Sequence, residues 1–185
     1  MPCLQSSSEC LETLTQQAIE QSSEIIAINE QLALTADRQD YAEARRWTNY
    51  LTLDPVRLVQ NVLGGGDVQR DRLAIASLEL EAANLIRRRA AVAEELTRDV
   101  VDLVLKYEKL GREIELVQSQ LETHRMRTAV MEAAYRSGGG STTSMLSVWQ
   151  RTETLVARAQ EKQILQVQIE RELETLIGYY STIDS

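Results

Sequence analysis

The chain of 185 residues contains no phenylalanine, only 4% aromatic residues and only two prolines. Each scarcity excludes something. Aromatic side chains supply the largest apolar burial per residue, so a chain this poor in them does not build a thick globular core. Prolines at positions 2 and 55 alone leave nearly everything after residue 10 free to be helical. His124 is the only histidine. A metal centre needs several convergent ligands, and the Glu-x-x-His spacing of a carboxylate di-iron bundle is missing, so His124 is expected to act as a core residue or a polar register-setter. No segment approaches the roughly 18 consecutive apolar residues that would cross a bilayer. Positive charge is also short: 20 Lys and Arg against 28 Asp and Glu give a net charge of −8, which disfavours a nucleic-acid partner. The one basic run, Arg87 to Arg89, is flanked by Glu79, Glu81, Glu94 and Glu95 and reads as a solvated helix face.

Catalytic patterns are missing as well. Gly64, Gly65 and Gly66 precede Asp67, whose charge repels phosphate, and Gly138, Gly139 and Gly140 precede Ser141 and Thr142 without a lysine. Both runs read as turns rather than phosphate cradles. Ser141 has no neighbouring histidine to act as a base. The expectation is a protein that is not an enzyme and carries no cofactor and no metal.

Helix formers fill the remaining space, and they are patterned. Leu96, Val100, Leu103, Tyr107, Leu110, Ile114, Val117, Leu121, His124, Thr128, Met131 and Tyr135 alternate four- and three-residue steps. A 3.5-residue repeat keeps one narrow stripe on one side of a helix, which is a coiled-coil seam. The seam extends backwards through Leu78, Ala82, Leu85, Arg89, Val92 and Leu96, where two successive four-residue steps make a stutter. From Asp67 as cap to Ser137, only Gly111 opposes a helix, at about 1 kcal/mol relative to Ala. Seventy residues at about 1.5 Å each make a rod of roughly 105 Å.

Before this rod, a first helix is expected from about Ser8 to Ala36, capped by Ser7 or Ser8, with Leu11, Leu14, Ala18, Ile25, Ile28 and Leu32 on its apolar face. Asp37 to Asp40 reads as a charged break or a continuation, and Tyr41 to Trp47 resumes the helix. Thr48 to Leu53 is the one strand-like run. Asp54-Pro55 suits the start of a short helix over Val56 to Leu63, ended by the glycines at 64–66. After the rod, Gly138 to Gly140 break the helix, Ser141 or Thr142 caps a last one, and Gly178 closes that at about Ile177. Two long helices joined by a short Gly-rich link form an antiparallel hairpin. The fold class is therefore all-α: an elongated antiparallel helical hairpin or coiled-coil bundle, with one very long central helix at about 68–137 and shorter helices packed on it. Residues 1–185 read as a single elongated domain, with a flexible start at 1–7 and the hairpin tip at 138–141.

The last helix is about half as long as the rod, so the tip end is only two helices thick. Such an end exposes Leu, Ile and Val edges unless other copies or another helical protein cover them. Partners are accordingly expected among helical proteins or further copies of this chain, as a homo-oligomer, with no membrane span in the chain itself and any membrane association arising through those partners.

Cys3 and Cys10, the only cysteines, lie in a Ser-rich start outside any apolar pattern. So close a pair can close a small loop by a disulfide in an oxidising compartment. No signal peptide is visible, and Met1 directly before Pro2 and Cys3 suits a chain whose export signal has been removed. The expected location is periplasmic or otherwise extracytoplasmic. The alternative is a cytoplasmic coiled-coil scaffold or assembly factor with reduced thiols.

Several short motifs, taken in order, resemble one repeat of the TolC-like outer-membrane efflux-duct family. They are Leu11-Glu12-Thr13-Leu14-Thr15-Gln16-Gln17-Ala18-Ile19, Leu63-Gly64-Gly65-Gly66-Asp67-Val68, and Leu78-Glu79-Leu80-Glu81-Ala82-Ala83. The stretch Tyr135-Arg136-Ser137-Gly138-Gly139-Gly140-Ser141-Thr142 resembles the family's hairpin tip, and Met145 to Gln150 its returning helix. Thr48 to Asp67 leaves no room for the family's membrane strands, so the chain cannot build a barrel by itself. The resemblance implies a soluble derivative with a role related to efflux or secretion ducts, whose tip meets a partner hairpin as the family's tip meets its adaptor. The residues assigned to partner binding are Tyr135, Arg136, Gly138, Gly139, Gly140, Ser141, Thr142 and Trp149.

Overall fold

A computed structural model of the chain describes residues 3–50 and 67–178, without the side chains of 46–50, 67 and 68. Among the described residues there are four helices and no strand: α1 (Ser8–Gln21), α2 (Ser23–Tyr50), α3 (Asp67–Arg136) and α4 (Thr142–Leu176). The all-α class and the single very long helix are as the seam implies. Gly111 is helical within α3, and the side of Gly111 faces Gln166, whose Nε2 lies 3.4 Å from where a Cβ would stand.

One expected helix is two. Ser22 separates α1 from α2: its hydroxyl accepts from the Ile25 N–H at 3.4 Å, and its carbonyl accepts from the Ile26 N–H at 3.0 Å. A serine that bonds the backbone locally offers an alternative to the helical ladder, and here it ends one helix and caps the next. At Asp37 to Asp40 the helix continues, and Thr48 to Tyr50 are helical within α2. The rest of the strand-like run, the Asp54-Pro55 start, the short helix over Val56 to Leu63 and the glycines at 64–66 lie outside the described residues.

The sequence reading treats residues 1–185 as one domain, whereas the contacts divide the chain into two compact units, Met1–Ala18 with Arg98–Ser185, and Ile19–Thr97. In the second, α2 and the first part of α3 run antiparallel. Arg88 donates to Glu24 at 2.8 Å near one end, and Arg45 lies 3.8 Å from Asp71 near the other. Ile25, Ile28, Thr35, Asp71 and Ile75 are buried there. Arg89, on the seam by spacing, is exposed, so the stripe is interrupted one heptad before Leu96, where the stutter falls.

The first unit has a core of three helices at one end. Cys10, Leu14 and Ala18 of α1 pack with Val100, Leu103 and Val104 of α3 and with Leu173 and Ile177 of α4. Leu14, Val100, Val104 and Leu173 are fully buried. Each fully buried leucine removes enough apolar area from water to contribute about 1.5–3 kcal/mol. Val104 stands one step off the seam, and its burial follows from α1 covering a second side of α3.

The chain start is not loose from residue 3 on. Cys3 and Cys10 are joined by a disulfide with Cα atoms 5.9 Å apart, and Cys3 and Leu4 pack against the core. The Ser7 hydroxyl accepts from the Cys10 N–H at 3.4 Å, capping α1, and the Ser6 N–H donates to Glu108 at 2.6 Å. That bond, with Arg112 behind it, holds the Glu108 carboxyl below its ordinary pKa.

Away from this end α3 and α4 continue as a two-helix hairpin. Lys162 reaches Glu113 at 2.6 Å, and the hydrogen bond together with the lysine's charge lowers the Glu113 pKa. His124 Nε2 lies 2.9 Å from the Val148 carbonyl oxygen. A carbonyl only accepts, so Nε2 carries the proton, and the seam's one histidine ties a single alignment of the two helices.

Candidate interaction tip

The hairpin turn is built by its glycines. At the end of α3 the Gly139 N–H donates to the Ala134 carbonyl at 2.9 Å and the Gly138 N–H to the Tyr135 carbonyl at 3.1 Å. This is the paired pattern of a Schellman motif, which needs a left-handed residue just past the helix, and Gly138 supplies it with φ +83°. Gly140 serves by having no side chain: a Cβ there would stand 3.0 Å from the Tyr135 Cα. Ser141 then caps α4, its Oγ accepting from the Ser144 N–H at 3.2 Å.

This turn brings Tyr135, Arg136, Thr142 and Trp149 together. They line one hollow of ≈ 210 Å³ with Glu132 and Met145. The Tyr135 hydroxyl lies 3.3 Å from Thr142 Oγ1, and Arg136 lies 3.8 Å from Glu132, one helical turn back. Trp149 is 51% and Tyr135 43% exposed, so each aromatic has one side packed and one open. Gly138, Gly139, Gly140 and Ser141, assigned to partner binding by sequence, do not line the hollow. They shape the turn that presents it.

Sequence reading missed Glu132 and Met145. Glu132 was legible in its four-residue spacing to Arg136; Met145 passes for an ordinary seam residue. It also missed a second feature, a groove of ≈ 810 Å³ between α3 and α4 on the other face of the hairpin. Met126, Arg127, Val130, Ser147 and Arg151 line it beside seam residues. The signal for it was a charge-poor line of Leu116, Ser119, Thr123, Met126 and Val130 along α3, off the seam and at the same three-four spacing.

The tip offers aromatic surface, one guanidinium and hydroxyl groups on a fixed frame. Among the described residues no group of three or more His, Cys, Asp and Glu is placed to hold a metal ion, and no helix is long and apolar enough to cross a membrane. Comparison with protein-family models, with curated proteins and with solved structures gives no match.

Proposed function

We propose that this chain is a non-enzymatic helical-hairpin protein that works outside the cytoplasm and engages another helical protein through the α3–α4 tip. The observation that carries this reading is the grouping of Tyr135, Arg136, Thr142 and Trp149 around one open hollow, on a turn held by its own hydrogen bonds. Exposed Trp, Tyr and Arg in a cluster have the composition of a binding hot spot. A preformed turn has little ordering cost on association. The bonded pair Cys3–Cys10, with Cys10 buried in the three-helix core, supports an oxidising compartment. A role beside efflux or secretion ducts follows from the resemblance of residues 135–150 to the tip of TolC-like repeats, and the partner would then present a helical hairpin of its own.

The test places a photocrosslinking amino acid at Thr143, next to the hollow, in cells producing the chain. A discrete adduct is expected with the native tip, and its loss with Arg136→Glu plus Trp149→Ala at unchanged helicity by circular dichroism. An adduct that survives both substitutions makes the tip a mere connector. Two free thiols in protein taken from the cytosol without reductant would instead support a cytoplasmic scaffold.

A further inference from the structure

The groove between α3 and α4, on the face away from the tip hollow, has two parts of different character. Nearer the tip, the space of ≈ 810 Å³ is lined by Met126, Val130, Met131 and Val148, together with Ser144 and Ser147. Farther from the tip it meets a smaller hollow of ≈ 350 Å³, lined by Ser119, Gln120, Thr123 and Leu155. His124, Arg127 and Arg151 border both parts, and the histidine already gives its Nε2 proton to the Val148 carbonyl. The two guanidiniums therefore stand where an apolar space and a polar one adjoin.

Neither guanidinium is engaged. Arg127 and Arg151 have no hydrogen bond or ion pair among the described residues, unlike Arg112 and Arg136, which meet Glu108 and Glu132 one helical turn back. No Asp or Glu lines either part of the groove. By heptad spacing, the groove-side positions from Gln120 to Ser137 on α3 and from Ser144 to Arg158 on α4 hold only three charged residues, Arg127, Arg151 and Arg158. All are positive, in a chain of net charge −8. The nearest acids lie elsewhere on the hairpin: Glu132 lines the tip hollow, and Glu122 and Glu153 stand behind the rows of Met126 and Gln150.

We infer that this groove binds a single-chain fatty carboxylate. Its head lies between Arg127 and Arg151, which face each other across the groove within about two helical turns along it. A guanidinium presents paired N–H donors that match a carboxylate, and Ser119, Gln120 and Thr123 supply further polar groups beside it. The tail runs towards the tip over Met126, Val130, Met131 and Val148. From Arg127 to Tyr135 the helix rises about 12 Å, room for an extended chain of roughly ten carbons. A bare anion leaves the apolar part unused, and an uncharged chain leaves both guanidiniums unpaired. A partner helix needs an apolar stripe along its whole length, whereas this groove is apolar over one part only. The inference is independent of the tip reading, because Tyr135, Arg136, Thr142 and Trp149 line the opposite face.

The experiment is isothermal titration calorimetry of the full chain at neutral pH with dodecanoate kept below its micelle concentration. One saturable site per chain is expected. Decanoate and octanoate should bind successively more weakly, by about twofold per methylene removed, since an open groove covers one side of the tail. Dodecyltrimethylammonium, with the same tail and the opposite charge, should bind at least about tenfold more weakly than dodecanoate. Arg127→Gln with Arg151→Gln is expected to weaken dodecanoate binding about tenfold or more at unchanged melting temperature, because both side chains are exposed and unpaired. If that variant loses helicity, Arg127→Lys with Arg151→Lys replaces it, keeping the charge without the fork, and should weaken binding by a smaller factor. Val130→Asp should weaken binding and flatten its dependence on chain length, whereas Arg125→Gln, on the other flank of α3, should leave it unchanged. The absence of saturable binding, or many molecules bound per chain, overturns the inference. So do equal affinity for the cationic amphiphile, native affinity in the Arg127 and Arg151 variants, or binding seen only with vesicles of anionic phospholipid.

Discussion

The two ends of the α3–α4 hairpin carry the same seam and fare differently. At the α1 end Val100, Leu103 and Val104 of α3 are buried, while past Val117 no α3 residue is. The pattern has not changed along the way: Leu121, His124, Thr128 and Met131 keep their spacing and are only half-buried. What differs is the number of helices around the stripe. Two helices enclose a line of side chains from one side each, whereas a third closes the remaining angle and dries the residues beside the line. A seam therefore specifies direction, and depth of burial comes from the company it keeps.

The comparison breaks most sharply under core truncation. Leu14→Ala or Leu173→Ala, in the three-helix end, is expected to lower unfolding stability by about 2–5 kcal/mol, because both side chains are fully buried and leave a cavity. Val130→Ala at the thin end is expected to stay within about 0.5 kcal/mol. Urea melts of the three variants decide the matter; equal losses would mean that the two ends are packed alike.

Next in size is the clasp on α1. Replacing Cys3 and Cys10 together by Ser opens a loop with a sequence separation of 7 and is expected to cost about 2.5 kcal/mol in the chain-entropy account. Hydrogen exchange should speed up first in α1 and leave the tip end of α3 unchanged. At the tip, Gly138→Ala forces a Cβ into a left-handed backbone and is expected to cost about 1–2 kcal/mol. The same melts read it, with faster exchange confined to the turn.

The smallest effect is one of pH. Glu108 and Glu113 are both held below the ordinary value of 4.5, Glu108 chiefly by the Ser6 N–H and Glu113 chiefly by Lys162. A carboxyl whose folded pKa is lowered contributes stability that is complete above its unfolded pKa and is lost as pH falls through the folded one. Stability should accordingly decline below about pH 4.5. Glu113→Gln should flatten that decline and lower stability slightly at neutral pH, as pH-dependent urea melts would show.

Much of this architecture was legible in the sequence. The spacing of seam residues located α3 and its facing side, Gly138 to Gly140 located the turn, and Ser141 and Gly178 marked the bounds of α4. The break at Ser22 was not legible, because serine in a helical pattern is common and only its local hydrogen bonds reveal a cap. Nor was the burial of Val104, which depends on a helix some ninety residues earlier in the chain. The start at 3–7 read as loose because its ties, to Glu108 and to the far core, are long-range. At the tip, Tyr135, Arg136, Thr142 and Trp149 were found from their types and proximity to the turn. Whether a residue lines the hollow or shapes the turn depends on backbone geometry, which separated them from the glycines.

The core that joins Leu14 to Leu173 also sets an order of events during synthesis. Residues 19–97 leave the ribosome between the two parts of the first unit, and α1 is made long before the residues it must cover. Its apolar face thus waits in water while about 150 residues are added, and long-range contacts of this kind close late. The α3–α4 hairpin, joined by a five-residue turn, has its partners within reach as soon as α4 emerges. Of the three helices in this core, the first made is then the last to find its place, and the short Cys3–Cys10 loop is a tie that α1 can form without waiting.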